Sequence, residues 1–355
     1  MRFPGSGSDV LKGCHVRWSW LLMLTAFLGL SGCGAINNMM YKTTGDVMVG
    51  FAEQHTVPYV LSSDDLGMNC AMSEAMTPLL MSFGQVTKNP DELGVMMDLS
   101  AGNCEEQKAW KYEFRYMKAL RAQQPEEAQD AMIVEKRHYI VAAKRYYRAW
   151  KHLNARYGDV GDSSCPSFDN DQSEFIYMMG LLAGLEALNS EIQSTSDNTG
   201  VPQNIAAKVA RASGCLDDDK WWGVPMALRA TVWAMLPGSQ PQGEDAFQRL
   251  AAADKKGEDA RVRLADVLHA IAAWNQNKTA MVKDIIRRHA KDVSRVPPDP
   301  KWAMVDQLAT LNLQAVSDRL WIEHTGHRTP IGGLGTFWDD KKPSSGEVID
   351  LNSIM

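Results

Sequence analysis

PEEAQDAMIVEKRHYIVAAKRYYRAWKHLNARY, residues 125–157, decides the fold. Proline stands where a first helical turn tolerates it, and Glu126 and Glu127 suit the positive end of a helix dipole. Tyr139, Tyr146, Trp150, Leu153 and Tyr157 recur at spacings of seven, four, three and four, so they share one helical face. Val134, His138 and Val141 form a neighbouring stripe. Lys136, Arg137, Lys144, Arg145, Arg148 and Lys151 are left for solvent, and Gly158 stops the helix.

The same grammar extends in both directions. Asp169–Ile192 reads as a helix with Phe175, Met178, Leu182, Leu185 and Leu188 inward. Its Gly180 and Gly184, four apart, each cost about 1 kcal/mol against alanine, a loss that points to another helix crossing closely. Further helices are predicted over Asp64–Gln85, Pro90–Leu99, Cys104–Gln123, Val224–Leu236, from after Pro241 to near Lys255, and over Glu258–Trp274, Thr279–Ala290 and Trp302–His324. No run of alternating β-branched and polar residues is convincing as a strand. Helices joined by short Gly, Pro, Asn and Asp turns make an all-α fold of antiparallel helical pairs, a tetratricopeptide-like α-solenoid with degenerate repeats. A seam is expected over 194–202, within a helical domain spanning 33–325. Residues 326–355, rich in Gly, Pro, Ser and Asp, read as an irregular tail with a disordered end.

The first 32 residues belong to a different class. Arg2, Lys12 and Arg17 precede an apolar run from Trp18 to Leu30, and Leu30-Ser31-Gly32-Cys33 closes it. A charged start, a short apolar core and a small-residue cleavage site describe a removed signal peptide. The run is shorter than the roughly 20 residues of a spanning helix. The closing tetrapeptide resembles the lipobox of bacterial lipoproteins. That resemblance implies a diacylglycerol on the Cys33 thiol, cleavage before it and an acylated new amino terminus. Acyl chains hold a protein at a bilayer through about 0.8 kcal/mol per buried methylene. Gly34 stands where enterobacterial lipoproteins carry an inner-membrane-retaining Asp, which implies the periplasmic face of the outer membrane.

Composition narrows the partners. The net charge is −6, and the leader holds three bases and one acid, so the remainder is more acidic still. Nucleic acid, which needs clustered Lys and Arg, is excluded as a partner. Cys70, Cys104, Cys165 and Cys215 remain beyond the leader and the lipid site, and an oxidising compartment permits disulfides. Four cysteines admit three pairings. The sequential one, Cys70–Cys104 and Cys165–Cys215, is the expectation because it staples neighbouring elements; buried free thiols are the alternative.

No chemistry is advertised. His324 and His327, with Glu323 beside them, fall short of the three or four converging ligands of a metal site. Gly332-Gly333-Leu334-Gly335 lacks the strand and helix of a phosphate loop. Asp217-Asp218-Asp219 fits a helix cap better than a calcium loop. Trp221 and Trp222 suit a core, and one of them is also a candidate for an apolar cavity or a partner surface. Twenty methionines, several at Met68–Met81 and Met96-Met97, suit adaptable apolar surfaces and equally suit ordinary core filler. A non-enzymatic protein without metal or cofactor is therefore expected.

The C-terminal half resembles a known family. Pro225-Met226-Ala227-Leu228-Arg229-Ala230 runs into Met235-Leu236-Pro237-Gly238, followed by Gly243, Glu244, Ala246 and Phe247, then Arg261–Trp274 and Leu308–Trp321. This order, with the aromatic helix at Tyr139–Tyr157 and the lipobox, is similar to the TatT family, tetratricopeptide-like lipoproteins associated with TRAP transporters. The four cysteines and the long tail depart from the family pattern. The resemblance implies a non-catalytic, lipid-anchored scaffold accessory to TRAP-type solute uptake. It implies a periplasmic substrate-binding protein as partner, a homo-oligomer with apolar channels, and a small organic acid or apolar ligand. A structural or assembly lipoprotein of the outer membrane is the alternative reading.

Overall fold

Helices α3, Asp91–Arg121, and α4, Pro125–Tyr157, form the long antiparallel pair on which the rest is built. The computed structural model describes residues 39–87, 90–162, 164–195 and 199–341. Cys33 and the rest of the signal segment lie outside them. Helix α4 has the bounds its sequence predicts, with Pro125 in its first turn and Gly158 at φ +81° ending it. Helix α3 replaces the two helices expected over Pro90–Leu99 and Cys104–Gln123. Gly102 sits mid-helix because a Cβ there would lie 2.6 Å from the Tyr146 ring of α4. The glycine marks a close crossing instead of a break.

Before this pair come α1, helical over residues 39–61 with a π-helical turn at Ala52–Thr56, and α2, Leu66–Ser82. After it come α5, Asp171–Ser194, and α6, Ile205–Ala212. Gly180 and Gly184 of α5 do face a close crossing: Cβ atoms there would lie 2.6 Å from Leu153 and from Trp150 of α4. Asn170 caps α5 by accepting from the Ser173 amide at 2.9 Å. Asn170→Ala is expected to cost about 1 kcal/mol, a typical capping loss, read from the urea midpoint. A change below a few tenths would show that the cap contributes nothing.

The second half stacks α7, Val224–Met235, α8, Ala246–Ala260, α9, Leu264–Asn275, and α10, Thr279–Val293. The last helix, α11, Ala303–Thr325, packs on α9 and α10 and also reaches back to α1, α2 and α3. The stack of antiparallel pairs thus curls until its end meets its beginning. One apolar core runs continuously from Val49 to Phe337, across both sides of the expected seam, of which 196–198 lie outside the described residues. Among the described residues there is no β-strand.

Disulfides pair Cys70 with Cys104, tying α2 to α3, and Cys165 with Cys215, tying the loop before α5 to the turn after α6. The tail from Gly326 to residue 341 is irregular but fastened. Phe337 is buried, Trp338 stacks on His324 with ring centroids 4.0 Å apart, and Lys283 holds Asp339 at 2.8 Å. The end of the expected tail, 342–355, lies outside the described residues.

Candidate functional site: an apolar cavity with one carboxyl

Where the curled stack closes, α1, α2, α3, α5, α9 and α11 surround a cavity of about 370 Å³. This is within the range of small-molecule sites. Its wall is mostly aliphatic and thioether. Met72 and Met76 come from α2, Met96 and Met97 from α3, Met179 from α5 and Met304 from α11. The methionine clusters of the sequence therefore converge, apart from Met68, which faces solvent, and Met81, which packs against the core outside the lining. Leu264, Val267 and Leu268 of α9 close the far side. Helix α1 contributes Phe51 and Val57 on either side of its π-helical turn.

Polar side chains are the minority of the wall. Thr56, Asn69, Ser73, Ser100, Asn103, Tyr146, Glu186 and Asn312 share the lining; among the described residues Glu186 is its one carboxylate, and no Lys, Arg or His belongs to it. Burial pushes Glu186 up to about 8, the neighbouring Glu106 carboxylate adds to the rise, and the Asn189 amide opposes it. Glu106, buried behind the wall, is pushed up to about 7 by burial, while the Tyr146 hydroxyl and Arg319 oppose it. Tyr146 donates to Glu106 at 2.8 Å. Arg319 is engaged elsewhere, its Nε and Nη2 each donating to a Glu113 oxygen at 2.7 Å. At neutral pH the pair therefore holds on to protons that exposed carboxyls would have released.

Trp221 and Trp222, read from the sequence as core or, for one of them, a ligand or partner surface, lie in the core. Both are buried, and they pack with Phe175 and Trp302 in one aromatic cluster. Their element is a tight turn in which Trp222 and Gly223 both take positive φ, so adjacent side chains turn inward together. Trp221 Nε1 donates to Glu174 at 2.8 Å, which satisfies the buried indole. Neither ring lines the cavity.

Groups that resemble catalytic arrangements are structural in geometry. His289 bridges Asp266 at 2.8 Å and the Thr310 hydroxyl at 3.0 Å, and that hydroxyl also lies 3.2 Å from the Asp306 carbonyl. The hydroxyl thus has two partners in reach, the imidazole and a main-chain carbonyl of its own helix. His269 is oriented by Asp254 at 2.6 Å, and its Nε2 has no partner hydroxyl. His324 spends Nδ1 on the Leu320 carbonyl at 3.0 Å. Asp217 accepts from the amides of Asp219 and Lys220, which is capping geometry. No group of three His, Cys, Asp or Glu side chains converges on a metal-sized site among the described residues.

No family model matches the chain, and no curated protein and no solved structure matches it. Among the described residues no helix is long and apolar enough to cross a membrane.

Sequence reasoning passed over Glu186. The signal was there: across residues 175–190, Glu186 is the one charged side chain. A lone acid inside an otherwise apolar helix is either partnered in the core or turned toward a cavity.

Proposed function

We propose that this protein is a lipid-anchored, non-catalytic helical scaffold whose curled tetratricopeptide-like stack holds an apolar small molecule. The observation that carries the reading is the methionine-lined cavity at the closure of the stack. Soft thioethers adapt to ligands of varied shape, and a concave, mostly apolar cavity of this size is a recurrent form of small-molecule site. The anchor is the lipid on Cys33. The partner, on the TatT resemblance, is the substrate-binding protein of a TRAP-type uptake system, met at the periplasmic face of the outer membrane.

The test is native mass spectrometry of the chain from Gly34 onward, exported to the periplasm and gently purified, together with uptake of the neutral fluorophore N-phenyl-1-naphthylamine. A small-molecule adduct, or saturable uptake of the fluorophore at one site per chain, is the expected result. Val267→Phe, which enlarges a side chain on the cavity wall, is expected to weaken uptake at least tenfold. A bare chain that takes up no fluorophore overturns the cavity reading. Co-purification of a TRAP-type binding protein supports the transport role, and attachment solely to outer-membrane assembly proteins overturns it.

A further inference from the structure

The ionisable content of the cavity selects among apolar ligands. We propose that the ligand is a lipophilic amine, its hydrocarbon body in the methionine-lined chamber and its ammonium against Glu186. The inference rests on the cavity being a ligand site.

An anion does not fit. Glu186 is the one carboxylate of the wall, the second carboxyl of Glu106 stands behind it, and no cation belongs to the lining. The cation near the pair, Arg319, is bound fork-to-fork by Glu113. At pH 8 and above, where the pair gives up its protons, the small organic acid that the family resemblance implies would meet like charge with no compensating base. A neutral lipophile fits the chamber but leaves the carboxyl unexplained, since Asn103 and Asn312 already offer amides to a hydroxyl or carbonyl. A half-buried acid without a cationic partner in an apolar wall is costly to ionise, and a cation brought by the ligand recovers that cost.

The groups facing Glu186 come from several elements. Glu106 on α3 raises its proton affinity and Asn189 on its own helix lowers it. Tyr146 on α4 feels both carboxylates and lies beside the Asn103 amide. The α9 and α11 walls present Leu264, Val267, Leu268, Val305 and Asn312, none of which titrates. An ammonium carries three donors, and Glu186, Tyr146 and Asn103 supply oxygen acceptors in the same wall.

Binding of an ammonium requires the Glu186 carboxylate, so it releases a proton from Glu186. Affinity for an alkylamine therefore rises with pH to about 8, the level to which Glu186 is pushed, and falls about tenfold per pH unit below it. The test compares dodecylamine, dodecanol and dodecanoate by isothermal titration calorimetry against the chain from Gly34 onward, which holds every described residue. At pH 8 dodecylamine is expected to bind roughly ten- to hundredfold tighter than dodecanol, the ratio that a charge-assisted hydrogen bond in a desolvated site supports. Dodecanoate is expected to bind weakest. Glu186→Gln, nearly isosteric, is expected to bring dodecylamine to the dodecanol level while dodecanol binding is unchanged. If dodecanol or dodecanoate equals or exceeds dodecylamine, or if Glu186→Gln spares the amine preference, the amine inference is overturned and the cavity reading stands. If none of the three binds, the cavity reading falls with it.

Discussion

Replacing Arg263 by Met is expected to lower unfolding stability by about 3–5 kcal/mol, the loss that follows when one partner of a buried ion pair is removed. Arg263 has no solvent exposure, although it carries a charge. Its Nε donates to Asp292 at 2.6 Å, Nη1 to Asp306 at 2.8 Å and Nη2 to the Val296 carbonyl at 2.8 Å. Its backbone amide donates to the other Asp306 oxygen, also at 2.8 Å. One side chain thus ties the start of α9 to the end of α10 and the first turn of α11. Methionine fills much of the volume but leaves Asp306, itself buried, facing a lost charge. Arg263→Lys is expected to recover little, because an ammonium cannot reproduce the planar fork across three acceptors. The double substitution Arg263→Met with Asp306→Leu is expected to regain more than half of the loss, since it removes both charges. Urea unfolding of the three variants decides the matter. A loss below about 1 kcal/mol for Arg263→Met would show that solvent or a neighbouring base replaces the guanidinium.

That clamp also shows where sequence reading stops. Helix α4 was legible to its ends because its signals are local: a first-turn proline, a stopping glycine and an aromatic stripe at helical spacing. The glycines of α5 were legible for the same reason, as two close-packing positions four residues apart. Helix α3 was misread as two, because what makes Gly102 comfortable mid-helix is the Tyr146 ring, 44 positions away in the chain. The predicted helix Glu258–Trp274 is instead interrupted: α8 ends at Ala260, Arg261 takes φ +61°, and α9 begins at Leu264. Arg and Val carry no turn signal. The break is held from outside, by Asp306 on Arg263 and by the Asp299 amide on the Arg261 carbonyl at 3.1 Å. The cavity was half legible. The methionine clusters pointed to an adaptable apolar surface, but their convergence depends on α11 returning to α1, α2 and α3, a contact that no local pattern encodes. The helices over 39–61 and Ile205–Ala212 were passed over, the first lying beside the signal segment and the second too short to show several turns of period.

Stability is expected to fall as pH rises from 5 to 8, by up to about 1.4 kcal/mol per pH unit for each of the two carboxyls that the native chain still holds protonated. Glu106 and Glu186 are held up at about 7 and about 8, against an ordinary glutamate value of 4.5 that the unfolded chain retains. Between 4.5 and those values the native chain binds protons that the unfolded chain has released, so raising the pH favours unfolding. Below 4.5 both states are protonated and the contribution is fully present; above about 8 it is gone. The two carboxyls sense each other, so their protons leave in two steps that belong to the pair. Carboxyls held low by exposed Lys and Arg partners, Asp162 and Asp171 among them, act in the opposite sense but below the ordinary carboxylate range. The two windows do not overlap, which places maximum stability in mildly acidic solution. Glu186→Gln removes one titration and relieves Glu106 of a like charge, so it is expected to flatten the slope by at least half and to be more stable than the parent at pH 8. Urea unfolding at pH 5, 6, 7 and 8 measures both slopes. A parent profile that is flat, or a Glu186→Gln profile as steep as the parent's, would show that solvent reaches the carboxyl pair and that the cavity is wet.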